Sequence, residues 1–294
     1  MNMKKLLPML VLSVVGIASA LPSRADDVSG VFTFQGGQFT VLSSSPPGLT
    51  NPSRIDNAGD FLVAGADGQP YLIHNGTATP VSLPGPGATF DTSISSNGTI
   101  LGRYVQFTST YFLERNGSVT FLPGATGFFQ SVNNAGIVVA TSFDGQFQQM
   151  YDTASGNITN ISFPGAKNTV LVAINDNNQI LGQAGHTVFI WDAGTFTILP
   201  IPANCGPVDM NNSEQVVGDC FNGHFGEGFL YSSGVMTFIN FNLNSNTNET
   251  DLTGINDSGE VVGVFSDVPE PPASVQLLSG LMLMLGLARV GRKR

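Results

Sequence analysis

Short turns rich in side-chain oxygens are the first candidates for chemistry in this sequence. Asn175, Asp176 and Asn177 stand in a row, and similar Asn/Asp pairs recur along the chain. Such oxygens are ligands for Ca²⁺, but an EF-hand-like loop needs them at alternating positions with a bidentate Glu at its end. Because no copy has that arrangement, we expect these side chains to bond nearby backbone groups and stabilise turns.

Histidines and nucleophiles give no stronger signal. His74, His186 and His224 are scattered, and no two have the spacing of metal ligands with a third group nearby. The sequence has no glycine-rich phosphate loop, no G-x-S-x-G motif and no evident Ser/His/Asp set. Its 21 acidic residues offer many carboxylate pairs for glycoside hydrolysis, and nothing singles out two of them. We therefore predict no catalytic residue, no metal and no cofactor.

The Asn/Asp turns belong to a nine-residue pattern that occurs six times. Its clearest copy, INDSGEVVG, runs from Ile255 to Gly263, and successive copies begin 36 to 45 residues apart. A period of about 40 residues is typical of a solenoid or a propeller. The other copies are Ile55–Val63, Ile94–Gly102, Val132–Ala140, Ile174–Gly182 and Met210–Gly218.

Each copy predicts a tight β-hairpin. Its fifth residue must take a positive φ, which suits Gly and is tolerated by Asn178, whereas Glu214 departs from the rule. Adjacent apolar residues such as Val261-Val262 point to opposite faces of a strand, so both faces must be buried. Each hairpin is followed by two outer strands that are more exposed than the hairpin strands, as in His186–Gly194 and Thr195–Pro200. Each period therefore predicts one four-stranded propeller blade.

The two ends of the repeat region complement each other. Gly30–Leu42 looks like two outer strands without an inner hairpin, and Glu249–Ser266 like an inner hairpin without outer strands. Joined, they form one blade and remove exposed sheet edges. The sequence thus predicts an all-β, six-bladed β-propeller whose last blade is closed by N-terminal outer and C-terminal inner strands. A β-helix and a β-sandwich are the alternatives.

The charge of the repeat region restricts its partners. Only 11 % of the 294 residues are charged, and between Asp26 and Asp267 four basic residues face twenty acidic ones, a net charge of −16. An acidic body argues against binding nucleic acid or an anionic membrane surface.

The N-terminal residues have the features of an export signal. Lys4 and Lys5 precede an apolar run that ends in Ala18-Ser19-Ala20, a small-x-small cleavage pattern. We predict a signal peptide over residues 1–25, with cleavage near Ala18 and Ala20 and a propeller domain over residues 26–267. A permanent membrane anchor is the alternative, and the shortness of the apolar run argues against it.

Residues 268–294 form a separate tail. Pro269-Glu270-Pro271 precedes an apolar segment, Val275–Ala288, which spans roughly 21 Å as a helix against about 30 Å of hydrocarbon core. We predict a transient inner-membrane anchor that is later cut away. Its basic end would stay in the cytoplasm. The basic residues are Arg289, Arg292, Lys293 and Arg294.

This tail resembles the PEP-CTERM sorting signal of Gram-negative bacteria in its Pro-Glu-Pro, its apolar segment and its Arg-rich end. The resemblance implies export, transient retention in the inner membrane and processing by an exosortase near Pro269, Glu270 and Pro271. It also implies a final place at the cell surface or in the extracellular matrix of a bacterium that makes exopolysaccharide and biofilm.

The repeats resemble bacterial extracellular HAF repeats, named for a His-Ala-Phe tripeptide, in which a hairpin of this type precedes an "HAFLW"-like strand. The hairpin half fits well, and the nearest matches to the second half are His186–Trp191 and Gly228–Tyr231. This family brings no established catalytic residues.

The two cysteines, Cys205 and Cys220, are equidistant from the midpoint between Asn212 and Ser213, where the fifth hairpin is predicted to turn. In an exported protein, such cross-strand neighbours favour a disulfide over two free thiols. The bond would contribute roughly 3 kcal/mol in the chain-entropy model. A bulge near Glu214 would spoil this register.

These features favour a non-enzymatic exported propeller that binds exopolysaccharide or a surface protein, or that serves structurally. The alternative is a carbohydrate-active hydrolase or lyase, which would need acids clustered at one mouth of the central channel beside an open cleft. A sensor ectodomain is a third reading, and the lack of a cytoplasmic domain after the tail weakens it.

Overall fold

The computed structural model describes residues 28–267, except 43–47, 67–68, 82–87, 106–108, 123–126, 143–147, 222, 224–225 and 242–247. The predicted signal peptide, the sorting tail and His224 lie outside the described residues. Those residues form 23 β-strands in six sheets. Among them, no helical segment is long and apolar enough to cross a membrane.

The strands are short and follow one another in hairpins. In chain order they are β1 (Val28–Gln35), β2 (Gln38–Val41), β3 (Phe61–Ala64), β4 (Pro70–His74), β5 (Thr77–Pro80), β6 (Ala88–Ile94), β7 (Ile100–Val105), β8 (Ser109–Arg115), β9 (Ser118–Phe121), β10 (Gly127–Val132), β11 (Ile137–Ser142), β12 (Gln148–Asp152), β13 (Ile158–Asn160), β14 (Val170–Ile174), β15 (Ile180–Ala184), β16 (Thr187–Asp192), β17 (Thr195–Leu199), β18 (Cys205–Met210), β19 (Val216–Phe221), β20 (Gly226–Ser232), β21 (Val235–Ile239), β22 (Asn248–Ile255) and β23 (Val261–Asp267).

The six sheets are the blades of a β-propeller, which confirms the predicted fold. We number them in chain order: blade 1 is β3–β5, blade 2 is β6–β9, blade 3 is β10–β13, blade 4 is β14–β17 and blade 5 is β18–β21. Blade 6 has the strand order β2-β1-β23-β22, so it is built from both ends of the domain. β1 and β23 run antiparallel, with Phe32 opposite Gly263 and Phe34 opposite Val261. The predicted closure is therefore correct.

In the second strand of a blade, adjacent apolar residues pack against the two different blades on either side. Val216 packs with blade 4 residues such as Leu181, whereas Val217 packs with blade 6 residues such as Val261. Both valines are fully buried. The core is thus a series of apolar layers between blades, as the paired hydrophobic residues predict.

In four blades the glycine after the apolar pair lies beneath a phenylalanine. Gly182 and Gly218 are the cross-strand partners of Phe189 and Phe229, and a Cβ built on Gly182 would lie 2.4 Å from the ring of Phe189. The aromatic ring therefore occupies the space that a side chain would need. Gly102 with Phe112 and Gly263 with Phe32 repeat the arrangement.

The hairpin turns have the predicted backbone. The fifth residue of every copy has a positive φ, including Asn178 at 61° and Glu214 at 57°. Glu214 therefore adopts the left-handed conformation despite its Cβ. The glycines at this position are Gly59, Gly98, Gly136 and Gly259, with φ between 77° and 83°.

The innermost strand of blades 2 to 6 carries a β-bulge shortly before the turn. In blade 5 the bulge lies between Pro207 and Asp209 and shifts the register by one residue. Without that shift, Cys205 would oppose Phe221. With it, Cys205 opposes Cys220, and the two form the predicted disulfide. A bulge therefore produces this register, where we expected one to disrupt it.

Blade 1 departs from the others at its innermost position. Two isolated bridges, Thr50 to Ala64 and Ile55 to Phe61, replace a regular strand there. Pro52 has no N–H to donate, and the Ser53 hydroxyl instead accepts the N–H of Leu62 at 2.9 Å. The irregular path places Arg54 at the propeller axis.

Candidate functional site

The inner hairpin turns of all six blades meet around the axis, where propeller loops are expected to form a site. The second residue of each repeat holds its own turn. Asn175 Oδ1, for example, accepts the N–H groups of Asn177 and Gln179 at 3.1 and 3.0 Å. The same pattern occurs at Asp56, Asn133, Asn211 and Asn256. The predicted role of these residues in turns is confirmed.

The same asparagines also join neighbouring blades, which the sequence analysis missed. Asn211 Nδ2 donates to the Asn256 carbonyl at 2.9 Å, and Asn256 Nδ2 donates to the Asp56 carbonyl at 3.1 Å. Asn133 and Asn175 make the equivalent bonds to the next blade. We call this series the amide belt. It stops at Asp56 and Ser95, because an ionised carboxylate and a hydroxyl carry no amide N–H.

The third residue of each repeat forms a second series of bonds, which we call the turn belt. Its backbone N–H donates to the side chain of the third residue in the next blade, as from Asp176 to Asn212 and from Asn212 to Asp257, each at 2.8 Å. Asp257 N–H donates to Asn57 Oδ1 at 2.9 Å, so the belt crosses the closure of the ring. The link from Asn134 to Asp176 follows this pattern. Blade 2 departs from it, because Asn57 N–H donates to the Ser96 carbonyl and the N–H of Asn97, the fourth residue, donates to Asn134 Oδ1.

Arg54 fills the channel inside these belts. Its Nε lies 3.3 Å from Asp209 Oδ1, and its Nη1 donates to the Ser131 hydroxyl. Its Nη2 donates to the carbonyls of Val172 and Val208 at 2.7 and 3.2 Å. Both carbonyls belong to residues at β-bulges. One side chain from blade 1 thus binds blades 3, 4 and 5.

The charges of this pair balance each other within the protein. The side chains of Arg54 and Asp209 are only 11 % and 7 % exposed. Burial raises the pKa of Asp209, and the Arg54 guanidinium and the N–H groups of Ile255 and Met210 act against that rise. The guanidinium beside Asp209 favours the ionised carboxylate, and the two side chains form an ion pair inside the channel.

The channel has almost no free space. Its cavity measures about 30 Å³ and is lined by residues of all six blades, among them Ile55, Ile94, Ser131, Ile174 and Asp209. That volume is close to the share of one water molecule in the liquid. Acids gather at this mouth, and among the described residues no open cleft lies beside them along the axis. The arrangement is suited to holding the blades together.

A second group of carboxylates lies between blades 5 and 6, away from the turns. Burial raises the pKa of Asp219 to about 7, and the charges of Asp251 and Glu249 add to that rise. The N–H of Leu252, which donates to Asp219 Oδ1 at 2.8 Å, acts in the opposite direction. Burial and Glu249 also raise the pKa of Asp251. Asp219 is therefore a carboxyl group that is half-protonated near neutral pH.

The described histidines lie apart. His74 Nδ1 lies 2.7 Å from Asp60 Oδ1, and His186 Nδ1 lies 2.9 Å from the Ala203 carbonyl. Within the part of the chain that the structure describes, no three His, Cys, Asp or Glu side chains are grouped so that they could hold a metal ion.

Arg54 is the residue that the sequence analysis overlooked. It is one of four basic residues in the domain, and it directly precedes the apolar residue that begins the first repeat. The other repeats have Ser93, Ser131, Ala173, Asp209 and Gly254 at this position. Arg54 is the one large cation at a repeat position that otherwise holds small or acidic residues. That difference could have identified it as a candidate for a special role.

Comparisons with known proteins support the fold. Neither a known protein family nor a curated protein matches the sequence. The solved structure of putative TolB from Agrobacterium tumefaciens is similar, with a TM-score of 0.61 and 13 % identity over 82 % of this chain and 99 % of that one. TolB from Acinetobacter baumannii gives a TM-score of 0.53 and 14 % identity over 81 % of this chain and 64 % of that one.

A virginiamycin B lyase from Staphylococcus aureus gives a TM-score of 0.44, with 14 % identity over 78 % of this chain and 84 % of that one. At such identities, similarity to solved structures concerns the fold alone. The chain is a six-bladed β-propeller.

Proposed function

We propose that the protein is an exported, non-enzymatic propeller that acts at the cell surface or in the extracellular matrix, by binding exopolysaccharide or a surface protein or as a structural component. The observation that carries this proposal is the filled axis. Arg54 and Asp209 occupy the place where propeller loops would form a site, and their polar atoms bind the protein itself.

The proposed location rests on the two ends of the chain and on the disulfide. The first residues have the pattern of a signal peptide, and Pro269-Glu270-Pro271 begins a tail like those that an exosortase processes. The bond between Cys205 and Cys220 supports an oxidising compartment. Transient anchoring through Val275–Ala288 would precede release to the surface of a Gram-negative cell.

A carbohydrate-active hydrolase or lyase is the second candidate, and Asp219 is the observation that favours it. A carboxyl group with a pKa of about 7 can act as a general acid at neutral pH, and Asp251 and Glu249 are its acidic neighbours. Glycosidases combine a protonated and an ionised carboxyl group in this way.

The two candidates differ in what the purified full-length chain does to exopolysaccharide from a producing bacterium. We expect the polymer to retain the protein in a pull-down without release of reducing ends. Release of sugars that is lost in Asp219→Asn but kept in Asp192→Asn, an exposed acid of blade 4, would contradict the proposal. If neither the polymer nor a glycan array retains the protein, the remaining roles are binding of a protein partner and a structural role.

A further inference from the structure

The seam between blades 1 and 2 is one of the two seams of the ring that lack a bond of the amide belt. Asp56 stands where four other repeats have an asparagine that donates to the next blade. Its Oδ1 accepts the N–H groups of Ala58 and Asp60, and its Oδ2 faces Gly98, where an added Cβ would lie 3.7 Å away. The bond from Asn57 N–H to the Ser96 carbonyl crosses this seam at 3.3 Å.

A cleft of about 520 Å³ opens at this seam. Pockets that bind small molecules commonly measure about 300–1,000 Å³ and combine apolar walls with a few polar groups. The apolar part of this cleft comes from both blades: Ile94 and Ile100 of blade 2 are buried at its base, and Leu72 and Val81, which pack against them, are partly exposed. The next seam, where Tyr111 and Phe129 lie 4.8 Å apart, has a smaller opening of about 330 Å³, and Arg115 is among the residues that line it.

The charged groups that line the cleft are all carboxylates: Asp56, Asp60 and Glu114. Among the described residues that line it, none is Lys or Arg. Asp60 Oδ1 contacts His74, and Glu114 Oε1 accepts the N–H of Gly117 at 2.6 Å. These contacts fix the orientation of two carboxylates and leave their second oxygen out of the bonds described.

We propose that this cleft binds a small molecule that carries a protonated amine on an apolar body. The aliphatic side chains would take the body out of water, and the carboxylates of Asp60 and Glu114 would pair with the ammonium group. A neutral ligand of the same shape would lose the ion pairs, and an anionic ligand would be repelled. This inference is independent of the polysaccharide proposal, and either can fail without the other.

Three six-carbon probes test the charge preference on the purified full-length chain by isothermal titration calorimetry at pH 7. We expect saturable binding of n-hexylamine, at least tenfold weaker binding of n-hexanol and no binding of hexanoate. No saturable binding of hexylamine, or equal binding of all three probes, would overturn the proposal.

The repeats supply matched variants for locating the site. The double variant Asp60→Asn, Glu114→Gln keeps the oxygen acceptors and should weaken hexylamine binding at least tenfold. Glu260→Gln, at the same repeat position as Asp60 but in blade 6, should leave binding unchanged. If the double variant binds as tightly as the parent, or if Glu260→Gln weakens binding equally, the site lies elsewhere and the proposal fails.

A space-filling variant tests the cleft itself without changing a charge. Thr79 lines the cleft and is exposed, and Thr237 is its counterpart in blade 5. Thr79→Trp should abolish hexylamine binding and Thr237→Trp should not, while both melt near the parent temperature. Unchanged binding in a folded Thr79→Trp variant would refute the assignment.

Discussion

Arg54 connects more of the propeller than any other side chain described above. Its donors bind Asp209, Ser131 and the carbonyls of Val172 and Val208, which lie in three different blades. Such a pair contributes little net stability against an apolar pair of similar size, but removing one partner leaves a buried charge. Arg54 therefore acts by supplying the positive charge and the N–H donors that the acceptors around the channel need. The effect of its loss depends on whether Asp209 stays in place as a buried acid.

We predict that Arg54→Leu lowers the free energy of unfolding by about 3–5 kcal/mol, because Asp209 would remain buried without its cation. The double variant Arg54→Leu, Asp209→Leu should recover a large part of that loss. Urea denaturation measures both. Arg115→Leu, at an exposed arginine of blade 2, is the control and should change stability by less than about 0.5 kcal/mol. If Arg54→Leu and Arg115→Leu changed stability equally, this role for Arg54 would be disproved.

Asp219 makes stability depend on pH. Its pKa of about 7 in the folded state lies above the ordinary value of 3.8 for this side chain, so the folded protein binds more protons than the unfolded chain between these pH values. The free energy of unfolding should therefore fall as pH rises, by about 2 kcal/mol between pH 5 and pH 7 from this group. Asp56 and Asp251, whose pKa values burial also raises, act in the same direction.

Thermal melts at pH 5 and pH 7 check this prediction. Asp219→Asn should reduce the difference between the two melting temperatures, and Asp192→Asn should not. Greater stability of the parent protein at pH 7 than at pH 5 would show that Asp219 does not dominate.

At the scale of elements, every blade has the hairpin turn, blades 2 to 6 add a bulge, and blades 2, 4, 5 and 6 add a glycine beneath a phenylalanine. The fold was predictable because the repeat shows both its period and its buried faces in every copy. The disulfide was predictable in outcome, although the bulge at Val208 that sets its register left no mark in the sequence. The belts were not predictable, because the partner of each asparagine lies about 40 residues away in the next repeat.

The glycine–phenylalanine pairs account for the small residue in the motif. We predict that Gly182→Ala lowers the free energy of unfolding by about 1–3 kcal/mol, since its methyl group would overlap the ring of Phe189. Adding Phe189→Leu should make the Gly182→Ala change less costly, and a double-mutant cycle in urea measures that coupling. Additive effects of the two changes would mean that the ring does not set the requirement for glycine.

At the scale of the whole molecule, the turn belt is continuous across the six seams and the amide belt is interrupted. The interruption at Asp56 coincides with the cleft between blades 1 and 2. The ring therefore has two seams without a bond of the amide belt, one after Asp56 and one after Ser95, and at the first of them an acid stands in place of the amide.

Asp56→Asn should repair that seam. The new amide keeps the Oδ1 acceptor for Ala58 and Asp60 and gains an N–H directed at blade 2, so we predict a gain of about 1 kcal/mol in urea. The variant should also lose the part of the pH dependence that comes from Asp56. The reverse change, Asn256→Asp, is the matched control and should destabilise the seam between blades 6 and 1. A loss of stability in Asp56→Asn would contradict the belt as a stabilising element.

The shared sixth blade also determines when the protein can finish folding. Val28 is opposite Asp267 in the sheet, so β1 and β23, the first and last of the described strands, are partners. Because a ribosome produces the chain from its N-terminus, blades 1 to 5 can form before β23 is available to pair with β1. During that time β1 presents an unpaired edge, with Val31 and Phe32 uncovered. Proteases and chaperones can therefore recognise an incomplete chain by this exposed edge. The edge is covered when the final hairpin, β22 and β23, pairs with β1.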